Sequence, residues 1–324
     1  MSVAIVSYNK FSKTSTLAHN KITNAIKKLC PNAVILDSDR MFYDNKDKKF
    51  DRVFVVNGME CFCDYRDYIP QFVENNKKAK LYWCSNDYAM RPSKKMSQLL
   101  IDNGATLLST VVEDLYSNKW FTNYKYVNFN LLTYNPNFDY KLIDKNEDLI
   151  YYGAFRDGRV KDFKKYFSDI KLHISTTDRN KDKFLEVCKK ATVIDTFSFK
   201  DSISFELAKF RFSLYIEDEK SHDFYCSPAN RFYECLSNGV FMLFDSSCKF
   251  TFDTAKIDIS DFVVSNVDEL RDKMEMVKKD FYTYEDKQRN IIDKNSIKTL
   301  ENEISNIIYD GNVVENDNKN VSYW

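Results

Sequence analysis

The chain has 324 residues, 44% hydrophobic, 15% aromatic and 30% charged, with only 6 glycines and 5 prolines. That length and apolar content support two cores and exclude a disordered, collagenous or coiled-coil protein. Lys+Arg and Asp+Glu stand at 48 each, so no net field draws polyanions to the whole molecule, although a local basic patch acts on a neutral chain as well.

No uncharged apolar run approaches the roughly 18 residues of a bilayer span, and the first residues lack the basic-then-apolar layout of a signal peptide. The 8 cysteines form no CxxC pair and mostly sit in apolar runs, which fits reduced, buried thiols. His19, His173 and His222 are too scattered for a local metal cluster. The expectation is a cytoplasmic protein without a membrane partner.

Short apolar runs predict strands at 3–7, 33–36, 52–57, 80–84, 106–108 and 126–129. A second series falls at 149–152, 171–174, 192–194, 212–216, 240–244 and 262–264. Amphipathic stretches between them predict helices at 15–29, 67–76, 93–103, 161–167, 181–190, 228–237 and 267–279, with one long helix over 284–308. Strands apolar on both faces that alternate with helices imply parallel sheets covered on both sides. The aperiodic stretch 134–148 is the natural linker. The fold class is therefore α/β, with two doubly wound Rossmann-like domains. The first covers 1–140 and the second 149–283; 284–324 forms a helix returning across the cleft and a polar tail. Ligands of such sheets bind outside the carboxyl ends of strands, so the post-strand loops carry the chemistry.

Segment 80–92 ends a strand and then presents Asn86-Asp87. Asp87 is placed to face a cleft as general base; an Asx turn before Pro92 uses the same residues. Segment 149–159 holds Gly153 and Gly158 between a strand and a helix, followed by the bidentate donors Arg156 and Arg159. Its GxxxxG spacing lacks the Lys-Ser/Thr pair of a P-loop, and a turn with solvated arginines is the plainer alternative. Segment 226–245 begins with Ser227-Pro228, which predicts a capped helix start. Arg231 and Glu234, three apart, share a face of that helix, either as an intrahelical ion pair or as partners for a phosphate and a ribose diol. Asp37-Ser-Asp39 is a DxD without supporting ligands, and a polar turn explains it better than a metal site.

In this order the motifs resemble the GT-B glycosyltransferases, and among them the DNA β-glucosyltransferases of T-even bacteriophages. The resemblance rests on Asp51-Arg-Val-Phe-Val-Val-Asn57, Leu81–Pro92, Tyr152-Gly-Ala-Phe-Arg-Asp-Gly158, Arg231-Phe-Tyr-Glu234 and Phe262-Val-Val-Ser-Asn-Val-Asp-Glu-Leu270. It implies a GT-B fold, a UDP-sugar donor on the second domain, and a hydroxymethylated base of double-stranded DNA as acceptor, with inversion at the sugar and a monomeric enzyme. Asp87 falls at the base position, Arg156 and Arg231 at pyrophosphate positions, Glu234 at the ribose position, Gly153 in the donor loop, and Phe199 near the uracil. The family's second donor-loop arginine aligns with Val160, one position from Arg159. Lys77, Lys78, Lys80, Arg91, Lys94 and Lys95 are expected to cluster around the Asp87 loop as DNA phosphate contacts; solvation of two helices is the alternative. A divalent ion, Mg2+ or Mn2+, is compatible with the diphosphate, but no protein ligand set is visible. Two alternatives remain: a GT-B enzyme with a carbohydrate, lipid or protein acceptor, and a non-catalytic binding module on the same fold.

Overall fold

A computed structural model describes residues 1–7, 16–56, 69–85, 101–110, 123–199, 203–217 and 228–310. The first sheet is built from β1 (Val3–Ser7), β2 (Val34–Leu36), β3 (Arg52–Val56), β4 (Lys80–Ser85), β5 (Thr106–Ser109) and β6 (Asn123–Tyr126). All neighbours pair in parallel, in the order β2-β1-β3-β4-β5-β6. Every residue of β1 and β3 is buried, as a sheet covered on both faces requires.

The second sheet comprises β7 (Glu147–Tyr152), β8 (Leu172–Ser175), β9 (Ala191–Ile194), β10 (Phe210–Tyr215), β11 (Phe241–Asp245) and β12 (Val263–Val264), again all parallel. Its order is β12-β11-β10-β7-β8-β9. Strand order therefore reverses between β7 and β10, and the loops leaving these two strands diverge to opposite faces. Such a switch point opens a crevice at the strand carboxyl ends. Tyr151 on β7 packs against Phe163, Phe167 and Phe184, with ring centroids 5.1 to 5.8 Å apart. Each such pair adds about 1 kcal/mol beyond area burial, so the floor beneath the crevice is rigid.

The helices are α1 (Thr16–Leu29), α2 (Asp39–Asn45), α3 (Ile69–Asn75), α4 (Val160–Phe167), α5 (Asp178–Val187) and α6 (Phe205–Ala208). They continue with α7 (Asn230–Ser237), α8 (Lys249–Thr254), α9 (Val267–Lys278), α10 (Phe281–Arg289) and α11 (Ser296–Tyr309). Three local expectations change. The Asp37-Ser-Asp39 turn starts α2, where the Ser38 side chain accepts from the backbone N–H of Met41. Helix α7 begins at Asn230 rather than Pro228, because the Pro228 carbonyl accepts from Asn130 Nδ2 (2.9 Å) and the Ala229 N–H donates to the Tyr215 hydroxyl (2.8 Å). The single helix expected over 284–308 is α10 and α11, separated where Asp293 Oδ1 accepts from the Asn295 N–H at 2.8 Å, an Asx turn.

The stretch joining the sheets is pinned to α7. Asn128 Nδ2 donates to the Tyr233 hydroxyl (3.0 Å) and the Asn135 N–H to Ser237 Oγ (2.8 Å). After α7 the chain turns at Gly239, whose φ of +62 and missing side chain admit the Tyr140 ring. Tyr140 in turn hydrogen-bonds Glu285 of α10. Gln288 on α10 both donates to the Met242 carbonyl and accepts its N–H, each at 2.7 Å, satisfying backbone of β11 that the short β12 leaves unpaired. Helix α11 instead lies against the first sheet's side: Lys28 pairs with Glu301 at 2.7 Å, and the Tyr309 hydroxyl donates to the Leu29 carbonyl at 2.9 Å. Among the described residues, Cys30, Cys84, Cys188, Cys235 and Cys248 are free and buried, and no helix is long and apolar enough to cross a membrane.

Candidate active site

The crevice between β7 and β10 is lined by three charged side chains from three segments. Strand β7 ends at Tyr152, and Gly153 turns the chain with φ +135. Its N–H donates to the Ser175 carbonyl (3.1 Å), and its carbonyl accepts from Thr176 Oγ1 (2.8 Å). A Cβ on Gly153 would lie 3.7 Å from Arg231 Nη1, so the turn passes directly beside the α7 arginine. The chain then bulges outward and returns, which leaves Arg156 exposed and Arg159 only 5% exposed at the start of α4. Glu217 follows β10 by two residues, and Arg231 opens α7; both are 8% exposed.

Glu217 divides its carboxylate between the two arginines. Oε1 accepts from Arg231 Nη2 at 3.1 Å, and Oε2 accepts from Arg159 Nη2. Arg231 also donates to the carbonyls of Ile216 (3.0 Å) and Tyr152 (3.3 Å), and its guanidinium lies 5.3 and 5.0 Å from the ring centres of Tyr151 and Tyr215. Arg159 Nη1 donates to the Tyr151 hydroxyl at 3.0 Å. Burial works against the charge of Arg231, but its surroundings, Tyr151 and Glu217 foremost, outweigh it and hold the group firmly protonated. Two guanidiniums thus share one carboxylate at the crevice, and among the described residues Arg231 Nε is buried with no hydrogen-bond partner. Chemically this is a receptor for an anion with several oxygens.

One helical turn further, Glu234 does not pair with Arg231. Its Oε2 accepts from the Tyr152 hydroxyl at 2.9 Å, and burial pushes its carboxyl up to about 7 against the opposing effects of Tyr152 and Arg231. The half-buried Phe199 ring stands 6.0 Å from that of Tyr152 and extends the wall at this end. The structure thus gathers Gly153, Arg159, Phe199, Arg231 and Glu234, while Arg156 remains on the exposed loop. Glu217, Tyr151, Tyr152 and Tyr215 are site residues that the motif reading passes over. For Glu217 a signal exists, since a carboxylate directly after a strand of a doubly wound sheet lies at the ligand edge.

On the first sheet, β4 delivers the chain to residue 85; Asp87, Arg91, Lys94 and Lys95 lie outside the described residues, as does Ser227. The expected clustering of Lys77, Lys78 and Lys80 around Asp87 involves a residue outside the described ones; the lysines themselves are described. These residues stand at the amino end of β4, about 17 Å of extended chain from its carboxyl end. Lys80 pairs there with Asp310 (2.7 Å) and Lys77 with Glu74 (2.6 Å). Among the described residues no group of three or more His, Cys, Asp or Glu is placed to hold a metal ion.

No protein-family model and no curated protein sequence matches the chain. Solved structures share its architecture at very low identity. Anabaena Alr3699/HepE, solved with UDP-glucose, has a TM-score of 0.59 at 6% identity over 96% of this chain and 100% of its own. WaaG, a glycosyltransferase involved in lipopolysaccharide biosynthesis, has a TM-score of 0.55 at 9% identity over 95% and 99%. An alpha-glucosyltransferase solved with UDP-glucose and DNA containing an abasic site has a TM-score of 0.57 at 9% identity over 94% and 99%. The chain has the GT-B fold.

Proposed function

We propose that the protein is a glycosyltransferase that takes a sugar from a UDP-sugar and passes it, with inversion, to the hydroxymethyl group of a modified pyrimidine in DNA. One observation carries the donor half: the buried Arg159–Glu217–Arg231 group, two guanidiniums sharing one carboxylate, at the switch point of a parallel sheet. The diphosphate meets the two guanidiniums and the ribose hydroxyls donate to Glu234. Phe199 lies on the side of the base, and Arg156 reaches the outer phosphate from its exposed loop. UDP-glucose in two of the similar structures supports the same chemistry.

In the reaction Asp87 accepts the proton of the acceptor hydroxyl. The oxygen forms a bond to the anomeric carbon from the face opposite UDP, and the bond from that carbon to the diphosphate oxygen breaks with its electron pair on UDP. Arg159 and Arg231 stand where this charge grows, an electrostatic contribution fixed in place before the reaction. A base within duplex DNA must be flipped out to reach such a site. The DNA-bound alpha-glucosyltransferase supports this acceptor. A second reading, a carbohydrate, lipid or protein acceptor, is favoured by the ion pairing of Lys77 and Lys80 away from the strand's carboxyl end.

The test is a panel of UDP-sugars incubated with hydroxymethylated and plain DNA, followed by the mass of the released bases. A hexose or pentose increment on the hydroxymethylated base alone supports the first reading. UDP release without a DNA increment, accompanied by transfer to a saccharide or lipid, supports the second. No turnover with any donor, together with no UDP binding, overturns both.

A further inference from the structure

We infer that Glu217 is a positioning residue for the two phosphate-binding arginines, a bridging carboxylate that fixes their spacing and offsets part of their charge in the empty donor site. The inference rests on the donor reading above. The Glu217 oxygens accept from the two arginines, and a carboxylate so engaged repels a phosphate oxygen, so Glu217 is not itself a diphosphate ligand. Its two oxygens are instead each given to a different arginine. Those arginines come from segments 58 and 14 residues away in the chain. Both also approach the Tyr151 hydroxyl, Arg159 Nη1 at 3.0 Å and Arg231 Nη1 at 3.5 Å. Two guanidiniums converging on one phenol repel each other strongly where water is excluded, and Glu217 is the acid that bridges them.

A diphosphate provides the same service with more charge. Once it is bound, the arginines no longer depend on Glu217, and the carboxylate becomes a source of repulsion within the complex. The empty site is therefore stabilised by Glu217 more than the occupied site is. By linkage, a residue that stabilises only the empty form weakens binding. Glu217 thereby keeps UDP from being held too tightly after transfer, while keeping the arginines arranged for the next donor.

The experiment measures UDP, inorganic pyrophosphate and uridine binding by calorimetry on the full chain and on Glu217→Gln, with melting curves in parallel. The amide retains an acceptor and loses the charge. Expected is a lower melting temperature without ligand, with UDP and pyrophosphate binding about tenfold tighter and uridine binding unchanged. The rise in melting temperature on adding UDP is expected to exceed that of the wild type. If UDP and uridine affinities change alike, or UDP binds more weakly to the variant, the inference is overturned while the donor reading stands. A wild-type chain that binds neither UDP nor pyrophosphate overturns both. If Glu217→Gln does not fold, Glu217→Asp decides: it keeps the charge but cannot span both arginines. Expected is a UDP affinity a few-fold higher with uridine unchanged, and a weaker UDP affinity, or equal changes for both ligands, refutes the bridging role.

Discussion

The Tyr152 hydroxyl donates to Glu234 Oε2 at 2.9 Å and stands 3.2 Å from the Arg231 carbonyl, so the last residue of β7 holds the carboxylate proposed above to meet the donor's ribose. Burial raises that carboxyl from its ordinary 4.5 to about 7. Ribose hydroxyls donate, so the ionised form is the competent one. Uridine, which has no phosphate to titrate, is expected to bind more tightly as pH rises through about 7 and to plateau above it. Glu234→Gln should flatten the profile, as read by calorimetry across that range. The stability effect has the opposite sense. Between pH 4.5 and about 7 the folded state keeps a proton that the unfolded chain releases, so this residue's contribution to stability falls as pH rises through that window.

Arg231→Lys is expected to be far from conservative. An ammonium cannot serve the Ile216, Tyr152 and Glu217 acceptors that the guanidinium reaches together. A loss of about 3 kcal/mol in stability is expected, in the range for disrupting a buried ion pair, together with loss of UDP affinity. Chemical denaturation and UDP titration on the same preparation check both.

Two glycines separate strain from collision. Gly153 has φ +135, and a Cβ there meets Arg231 Nη1 only at an ordinary contact of 3.7 Å, whereas a Cβ on Gly239, at φ +62, would overlap the Tyr140 ring. Gly153→Ala is expected to cost about 1–3 kcal/mol from backbone strain alone and to shift the donor loop, lowering UDP affinity. Gly239→Ala is expected to unfold the second sheet's side of the molecule at a much lower denaturant concentration, since Tyr140 cannot give way without breaking from Glu285. Denaturation midpoints order the two variants.

Asp87→Ala is expected to reduce turnover by about 10²–10⁴, the usual size of proton-transfer catalysis, and to leave UDP binding intact. Steady-state rates beside UDP affinity check this assignment. Full turnover would remove Asp87 from the mechanism.

The lysines provide an acceptor test. Lys77→Ala with Lys80→Ala is expected to leave the salt dependence of DNA binding unchanged, because both side chains are ion-paired at the amino end of β4. Lys94→Ala with Lys95→Ala is expected to reduce the log–log slope by about two, one per phosphate contact. Fluorescence anisotropy over a salt series distinguishes the pairs. If neither pair changes the slope, the acceptor is to be sought outside DNA.

All twelve predicted strands exist and pair into two six-stranded sheets, because an apolar run that must be buried on both faces is visible residue by residue. Errors fall where an element depends on something remote. The strand placed at 126–129 lies at Asn123–Tyr126, and the residues after it wind into a 3-10 turn whose Asn130 reaches across to Pro228. The long C-terminal helix breaks because its two halves pack on different sheets, α10 through Gln288 on β11 and α11 through Glu301 on α1.

The sequence by itself determined the alternation of strand and helix, the two parallel sheets, and the residue types after the strands at 149–152 and before the strand at 240–244. All of these are properties of short windows, governed by periodicity and local backbone preference. Only the tertiary structure decided which charges meet. Glu217 bridges arginines from two separate segments, and Lys80 is taken by Asp310, 230 residues away. A side chain's charge is shaped by desolvation and by neighbours a few ångströms off, and those neighbours come from distant chain segments that folding alone brings together.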